Sequence, residues 1–104
     1  MTLFGLARVA GRSMEPTLRE GDRLLVHYGA TPRLGSLVVV RLPDRPVAVK
    51  RLTMRVEDGW WVERDNPADG VDSWHVGAVG DEDLLGRVVL RVWPARRRRL
   101  RRSH

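Results

Sequence analysis

VAVKRLTM, residues 47–54, reads as a β-strand. A period of two puts Ala48, Lys50, Leu52 and Met54 on one face and Val47, Val49, Arg51 and Thr53 on the other. Turn formers bracket it, Pro43 to Pro46 before and Asp58-Gly59 after. Working outward, similar short runs rich in Val and Leu stand at 3–10 (LFGLARVA), 22–28 (DRLLVHY), 37–42 (LVVVRL), 60–64 (WWVER) and 86–93 (GRVVLRVW). Gly, Pro and Asp separate them, with further turns at Thr31-Pro32 and Gly35-Ser36. Long helical periodicity and internal repeats are missing. The expected fold is mostly β, made of short antiparallel strands with one or two short helical turns. One such turn is expected where Pro16 opens PTLREG, the other at EDLL with Asp81 as its cap.

At 104 residues and 42% hydrophobic, the chain suits one domain with a modest core, expected over 1–94. It has no cysteine, which excludes a disulfide framework, a thiol nucleophile and Cys-ligated zinc. The net charge of +6 arises in residues 95–104, ARRRRLRRSH, because the remaining 13 Lys and Arg balance 13 Asp and Glu. This Arg-rich tail is expected to be disordered and to attract an anionic membrane surface or an acidic partner; nucleic acid is the less favoured partner. The opening MTLFGLARVAGRSM is too short, and too soon interrupted by Arg8 and Arg12, for a signal peptide or a membrane span. The expected location is cytoplasmic, peripheral to a membrane where the tail engages one.

Eighteen of the nineteen basic residues are arginine; Lys50 is the one lysine. Arginine supplies charge at any pH, whereas a site that needs a removable proton must use lysine. The apolar neighbours on its face would desolvate Lys50 and favour the neutral amine, the form able to accept a proton from a hydroxyl. Ser13 is the candidate nucleophile, set in a turn directly after an apolar run. Gly11 lets a substrate carbonyl approach, and the Ser13 amide is suited to donate to the developing oxyanion. Ser-Lys sites are an accepted variant of triad chemistry and need no cofactor or metal. The Asp65–Gly80 loop, long for so small a domain and rich in Asp, Gly and Asn, is a candidate functional loop.

GRSMEPTLREGDRLLV (Gly11 to Val26) resembles the nucleophile motif of the signal peptidase I family, Gly-x-Ser-Met-x-Pro-Thr-Leu followed by Gly-Asp and an apolar strand. In the family's order, VAVKRLT resembles its Lys-Arg strand. RDNPADGVDSWHVGAVGDEDLLGRVVLRVWP resembles its Asp-Asn, Asp-Ser, Gly-x-Val and Gly-Arg region. The resemblance spans nearly the whole chain. It implies a small signal-peptidase-like β fold and a Ser-Lys serine endopeptidase that removes an N-terminal leader from a precursor protein. Ser13 would be the nucleophile, Lys50 the general base, and Met14 would pack beside the substrate cleft with Gly11. Where the family often places a serine that holds the lysine, and an arginine paired with an aspartate, this chain has Gly70 and Trp74. Lysine orientation is therefore expected from Asp72 and Ser73, a backbone carbonyl or water. The short form, VERDNP and GRVVLRVWP are most similar to the maturation proteases of nickel-type superoxide dismutase; generic signal peptidase I-type cleavage is the alternative.

Other classes are weaker. A Ser-His-Asp site would draw on His27 or His75 with Asp72, but neither histidine has a signature tying it to Ser13. Asp69, Asp72 and His75 form no recognised metal motif. A small β-barrel nucleic-acid binder would use the Arg tail and stack bases on Trp60, Trp61, Trp74 or Trp93, although core packing is the commoner fate of such residues.

Overall fold

Six strands form one antiparallel sheet in a computed structural model that describes residues 3–94. They are β1 (Leu3–Arg8), β2 (Arg23–Tyr28), β3 (Leu37–Arg41), β4 (Val47–Val56), β5 (Gly59–Glu63) and β6 (Leu84–Trp93). The expected Arg-rich tail at 95–104 lies outside the described residues. The spatial order is β1-β2-β6-β3-β4-β5, so the last strand in sequence enters between the second and third. This insertion places the chain's two halves side by side within one hydrogen-bonded sheet.

Alternation in β3 explains why that strand sits centrally. Val38 and Val40 face one core with Leu42, Leu52, Val62 and Val79. Val39 faces a second core with Val9, Met14, Leu18, Leu24 and Val26. A strand buried on both faces needs apolar residues throughout, as LVVV provides. Lys50 pairs directly with Val38, and therefore lies on the face of the first of these cores.

β4 departs from strict alternation at its far end. Its register against β5 shifts between Leu52 and Met54, and Met54 is 46% exposed instead of following Leu52 inward. A bulge of this kind re-aims every side chain beyond it. The expected turn at PTLREG closes as a single hydrogen-bonded turn, with Leu18 N donating to Met14 O at 2.9 Å, and goes no further into a helix. The turn at EDLL is a 3-10 turn over Asp81–Asp83, following Gly80 rather than capped by Asp81. A short helix, α1 (Ser73–Val76), lies in the long loop. No helix among the described residues is long and apolar enough to cross a membrane.

Candidate active site

The turn after β1 brings Ser13 to the middle of β4. Lys50 Nζ donates to Ser13 Oγ at 2.9 Å across 37 residues of sequence. The lysine is 3% exposed. Burial pushes its amine below the ordinary lysine value. The Asp72 carboxylate acts in the opposite direction, Arg64 offsets it, and Asp69 and Arg45 form a weaker opposing set. Nearby charges therefore act in opposed pairs, and desolvation is the largest influence lowering the amine's hold on its proton.

Ser13 is held by the 65–70 segment. Asn66 N donates to Ser13 O at 2.8 Å, and Asn66 Nδ2 donates to Arg12 O at 2.9 Å. Gly70 packs on the other side of the serine. Its φ of +99° is one that residues with a side chain rarely adopt, and a Cβ built there would collide with Ser13 Cβ. Glycine at 70 is thus required by contact and by conformation together. Gly11 also has a positive φ, +83°, yet nothing lies within 4 Å of where its Cβ would be. The space beside it is open to an approaching chain. Among the described residues the Ser13 amide has no protein acceptor, which leaves it able to donate to an oxyanion.

Met14 turns the other way. It is 2% exposed, belongs to the core with Leu18 and Leu24, and accepts a hydrogen bond on Sδ from Asp65 N at 3.4 Å. The expectation that it lines an open cleft is corrected: it supports the nucleophile turn from beneath, because the side chain following an outward Ser13 points inward.

Asp72 and Ser73 are buried near the lysine, but their hydrogen bonds serve the loop. Asp72 caps α1, accepting from Trp74 N at 3.0 Å, and also accepts from Arg64 N at 2.9 Å. The Arg64 guanidinium stands 3.3 Å from the same carboxylate. Ser73 Oγ accepts from Val62 N at 2.9 Å and so fastens α1 to β5. Asp72 therefore influences Lys50 through charge, while Ser73 positions the loop. Arg64 thus supplies a guanidinium to Asp72, and it braces the loop through the carbonyls of Asn66 and Pro67 at 3.1 Å each.

A second set of contacts binds the same three segments together. Arg51 grips Asp65 with Nε at 3.0 Å and Nη2 at 2.8 Å, and Thr17 Oγ1 donates to Asp65 Oδ2 at 2.6 Å. Burial would push the Asp65 carboxyl up, but the bonds from Arg51 and Thr17 outweigh it and hold it below the ordinary carboxylate value. Ser13 and Thr17 on the turn, Lys50 and Arg51 on β4, and Asp65 and Asn66 on the loop thus join the three segments. Sequence reasoning quoted these motifs but assigned no role to Thr17, Arg51, Asp65, Asn66 or Arg64. The usable signal was an Arg and an Asp each next to a site motif.

The remaining candidates are engaged elsewhere. His75 Nδ1 accepts from Asp72 N at 3.2 Å in the capping box, and His27 lies 4.9 Å from the Phe4 ring, centroid to centroid. Trp60 packs against a core and donates to Asp81 at 2.7 Å, while Trp61 meets the edge of Trp74. Among the described residues no group of three or more His, Cys, Asp or Glu is placed to hold a metal.

Residues 4–89 match the family described as peptidase S24-like. The chain is also 30% identical, over 112 aligned residues, to a mitochondrial inner membrane protease subunit 1 from Xenopus tropicalis. That alignment takes in 82% of this chain and 66% of the relative, so the chain spans a little under two-thirds of the relative's length.

Proposed function

The chain belongs to the peptidase S24-like family, and from that premise we propose that it is a serine endopeptidase that removes an N-terminal leader from a precursor protein. The observation that carries this reading is a buried amine 2.9 Å from a serine hydroxyl at the end of an open turn. Neutral Lys50 accepts the Ser13 proton as Oγ attacks the scissile carbonyl. The tetrahedral oxyanion receives the Ser13 amide hydrogen. As the C–N bond breaks, protonated Lys50 returns its proton to the leaving amine and an acyl-enzyme remains. Water then attacks the ester, giving its proton to the same lysine, and Ser13 Oγ recovers a proton as the acid departs. No cofactor enters this cycle.

The finer reading is that the precursor is a nickel-type superoxide dismutase. It rests on the likeness of VERDNP and GRVVLRVWP to the proteases that mature that enzyme. Cleavage of other leaders in the manner of signal peptidase I is the alternative within the same chemistry. Mass spectrometry of a leader-bearing nickel superoxide dismutase precursor, incubated with the protein or with Ser13→Ala, separates these outcomes. One defined cut absent from the variant supports both the chemistry and the substrate. An intact precursor beside Ser13-dependent cleavage of other leader peptides overturns the substrate alone, and no cleavage of any leader overturns the peptidase reading.

A further inference from the structure

Trp74 is 71% exposed, more than any other large hydrophobic side chain among the described residues, yet it is held in place. Its indole Nε1 donates to Glu63 Oε2 at 2.6 Å, and its ring meets Trp61 edge to face, with centroids 5.2 Å apart and planes at 84°. Burial does not account for an indole left in water. The cap of α1 does not require it, because Asp72 accepts from the Trp74 backbone amide, which any residue but proline supplies. Arg64 already provides the guanidinium beside Asp72, so position 74 has no electrostatic duty toward the lysine.

Charge at this place selects a ligand. Among the described residues Glu63 makes no ion pair. Arg51 stands directly opposite it on β4 but is taken by Asp65 and the Gly35 carbonyl. Arg64, next in sequence, is taken by Asp72 and the carbonyls of Asn66 and Pro67. The fold also contains a filled counterpart. Trp60 Nε1 donates to the Asp81 carboxylate at 2.7 Å, and the Arg55 guanidinium lies 4.3 Å from the Trp60 ring centroid. Indole, carboxylate and cation occur together there, as the negative ring face and the carboxylate both favour. Trp74 and Glu63 repeat the first two parts, and the chain supplies no third.

We propose that Trp74 and Glu63, buttressed by Trp61, form a subsite for a lysine or arginine side chain of the precursor, with the cation over the Trp74 ring beside the Glu63 carboxylate. Ser13 O accepts from Asn66 N at 2.8 Å, and Glu63 stands three residues before Asn66, a reach of at most about 11 Å. At about 3.3 Å per residue of extended chain, the basic residue is expected within about five residues of the scissile bond. The identity of the ligand rests on the peptidase reading.

Ten-residue alanine-serine peptides carrying one lysine, moved position by position, test the subsite against the same peptides with norleucine. Mass spectrometry is expected to show cleavage at a fixed spacing from the lysine, with KM about tenfold below that of the matching norleucine peptide. Trp74→Ala and Glu63→Gln should each erase most of that difference, the latter by removing charge while retaining an acceptor for the indole; thermal melts check that both variants fold. Cleavage indifferent to lysine, or a lysine preference that survives both variants, overturns the subsite. If no peptide is cut, fluorescence anisotropy of the labelled peptides decides. Tighter binding of lysine than of norleucine peptides, abolished by Trp74→Ala, upholds the subsite while the peptidase reading falls, and equal binding overturns the subsite.

Discussion

Replacement of Gly70 by serine sets geometry against resemblance. By resemblance, a hydroxyl near this place would help to hold the lysine, and serine would raise activity. The structure requires the opposite. A Cβ on Gly70 would collide with Ser13 Cβ and stand 3.4 Å from Ser13 Oγ, and the φ of +99° disfavours any side chain. Holding a non-glycine residue in such a conformation costs about 1–3 kcal/mol. Forcing an extra carbon into a filled contact costs about 1–3 kcal/mol more. The sum, about 2–6 kcal/mol, corresponds to a fall in Tm of roughly 10 °C or more for a domain of this size. If the chain relaxes by moving Ser13 instead, a displacement near 1 Å costs about 100-fold in turnover, and the 2.9 Å bond from Lys50 is lost. Gly70→Ala provides the control, since it adds the carbon without the hydroxyl. Thermal melts and kcat/KM on a leader peptide, measured well below both melting points, separate the two forms of damage. Wild-type stability with wild-type or higher activity in Gly70→Ser would refute the packing argument and restore the hydroxyl to the lysine's support.

Four further outcomes follow from the same contacts. Lys50→Arg retains the charge and removes the base, so single-turnover acylation should fall by at least about 1,000-fold. The kcat/KM profile of the native protein should rise with pH through an ionisation below the ordinary lysine value; Arg64→Met, by leaving Asp72 unopposed, should move that limb to higher pH. Lys50→Met should be more stable than the native chain at neutral pH. The lysine is depressed when folded, so the unfolded state binds the extra proton, and denaturant titrations should show the advantage shrinking as pH rises from the folded value toward 10.5. Asp65→Asn should lose about 1–2 kcal/mol at neutral pH, measured by urea unfolding. Because the native carboxyl is depressed, its contribution is present above the ordinary value of 3.8 and disappears as pH falls through the folded value, where the two proteins should converge.

Local pattern made much of this molecule legible. Alternation and turn residues marked all six strands, since most of them bury a face and must obey that period, while the exposed and half-buried β1 was marked by its apolar run before the glycine turn. Ser13 and Lys50 were legible because one lies in a glycine turn and the other is the lone lysine among apolar residues. Helix α1 was not, because four residues carry no helical period and Asp72 acts as its cap through a contact with no outward sign. Met54 was misplaced by a bulge, which depends on the neighbouring strand rather than on β4 itself. The Thr17, Arg51 and Asp65 contacts were invisible for a related reason: 48 residues separate Thr17 from Asp65, and only the folded sheet makes them neighbours.

The arginine bias around Lys50 follows from the same chemistry. An unopposed Asp72 would strengthen the lysine's hold on its proton and so weaken it as the proposed base near neutral pH. Arg64 prevents this by holding Asp72 at 3.3 Å, and a guanidinium remains charged at every pH where the amine is neutral. The pair Arg64–Asp72 therefore fixes the α1 loop while the guanidinium opposes the effect of the carboxylate on Lys50. Burial at 3% exposure lowers the lysine's hold on its proton, so the hydroxyl at 2.9 Å meets an acceptor once the amine is neutral.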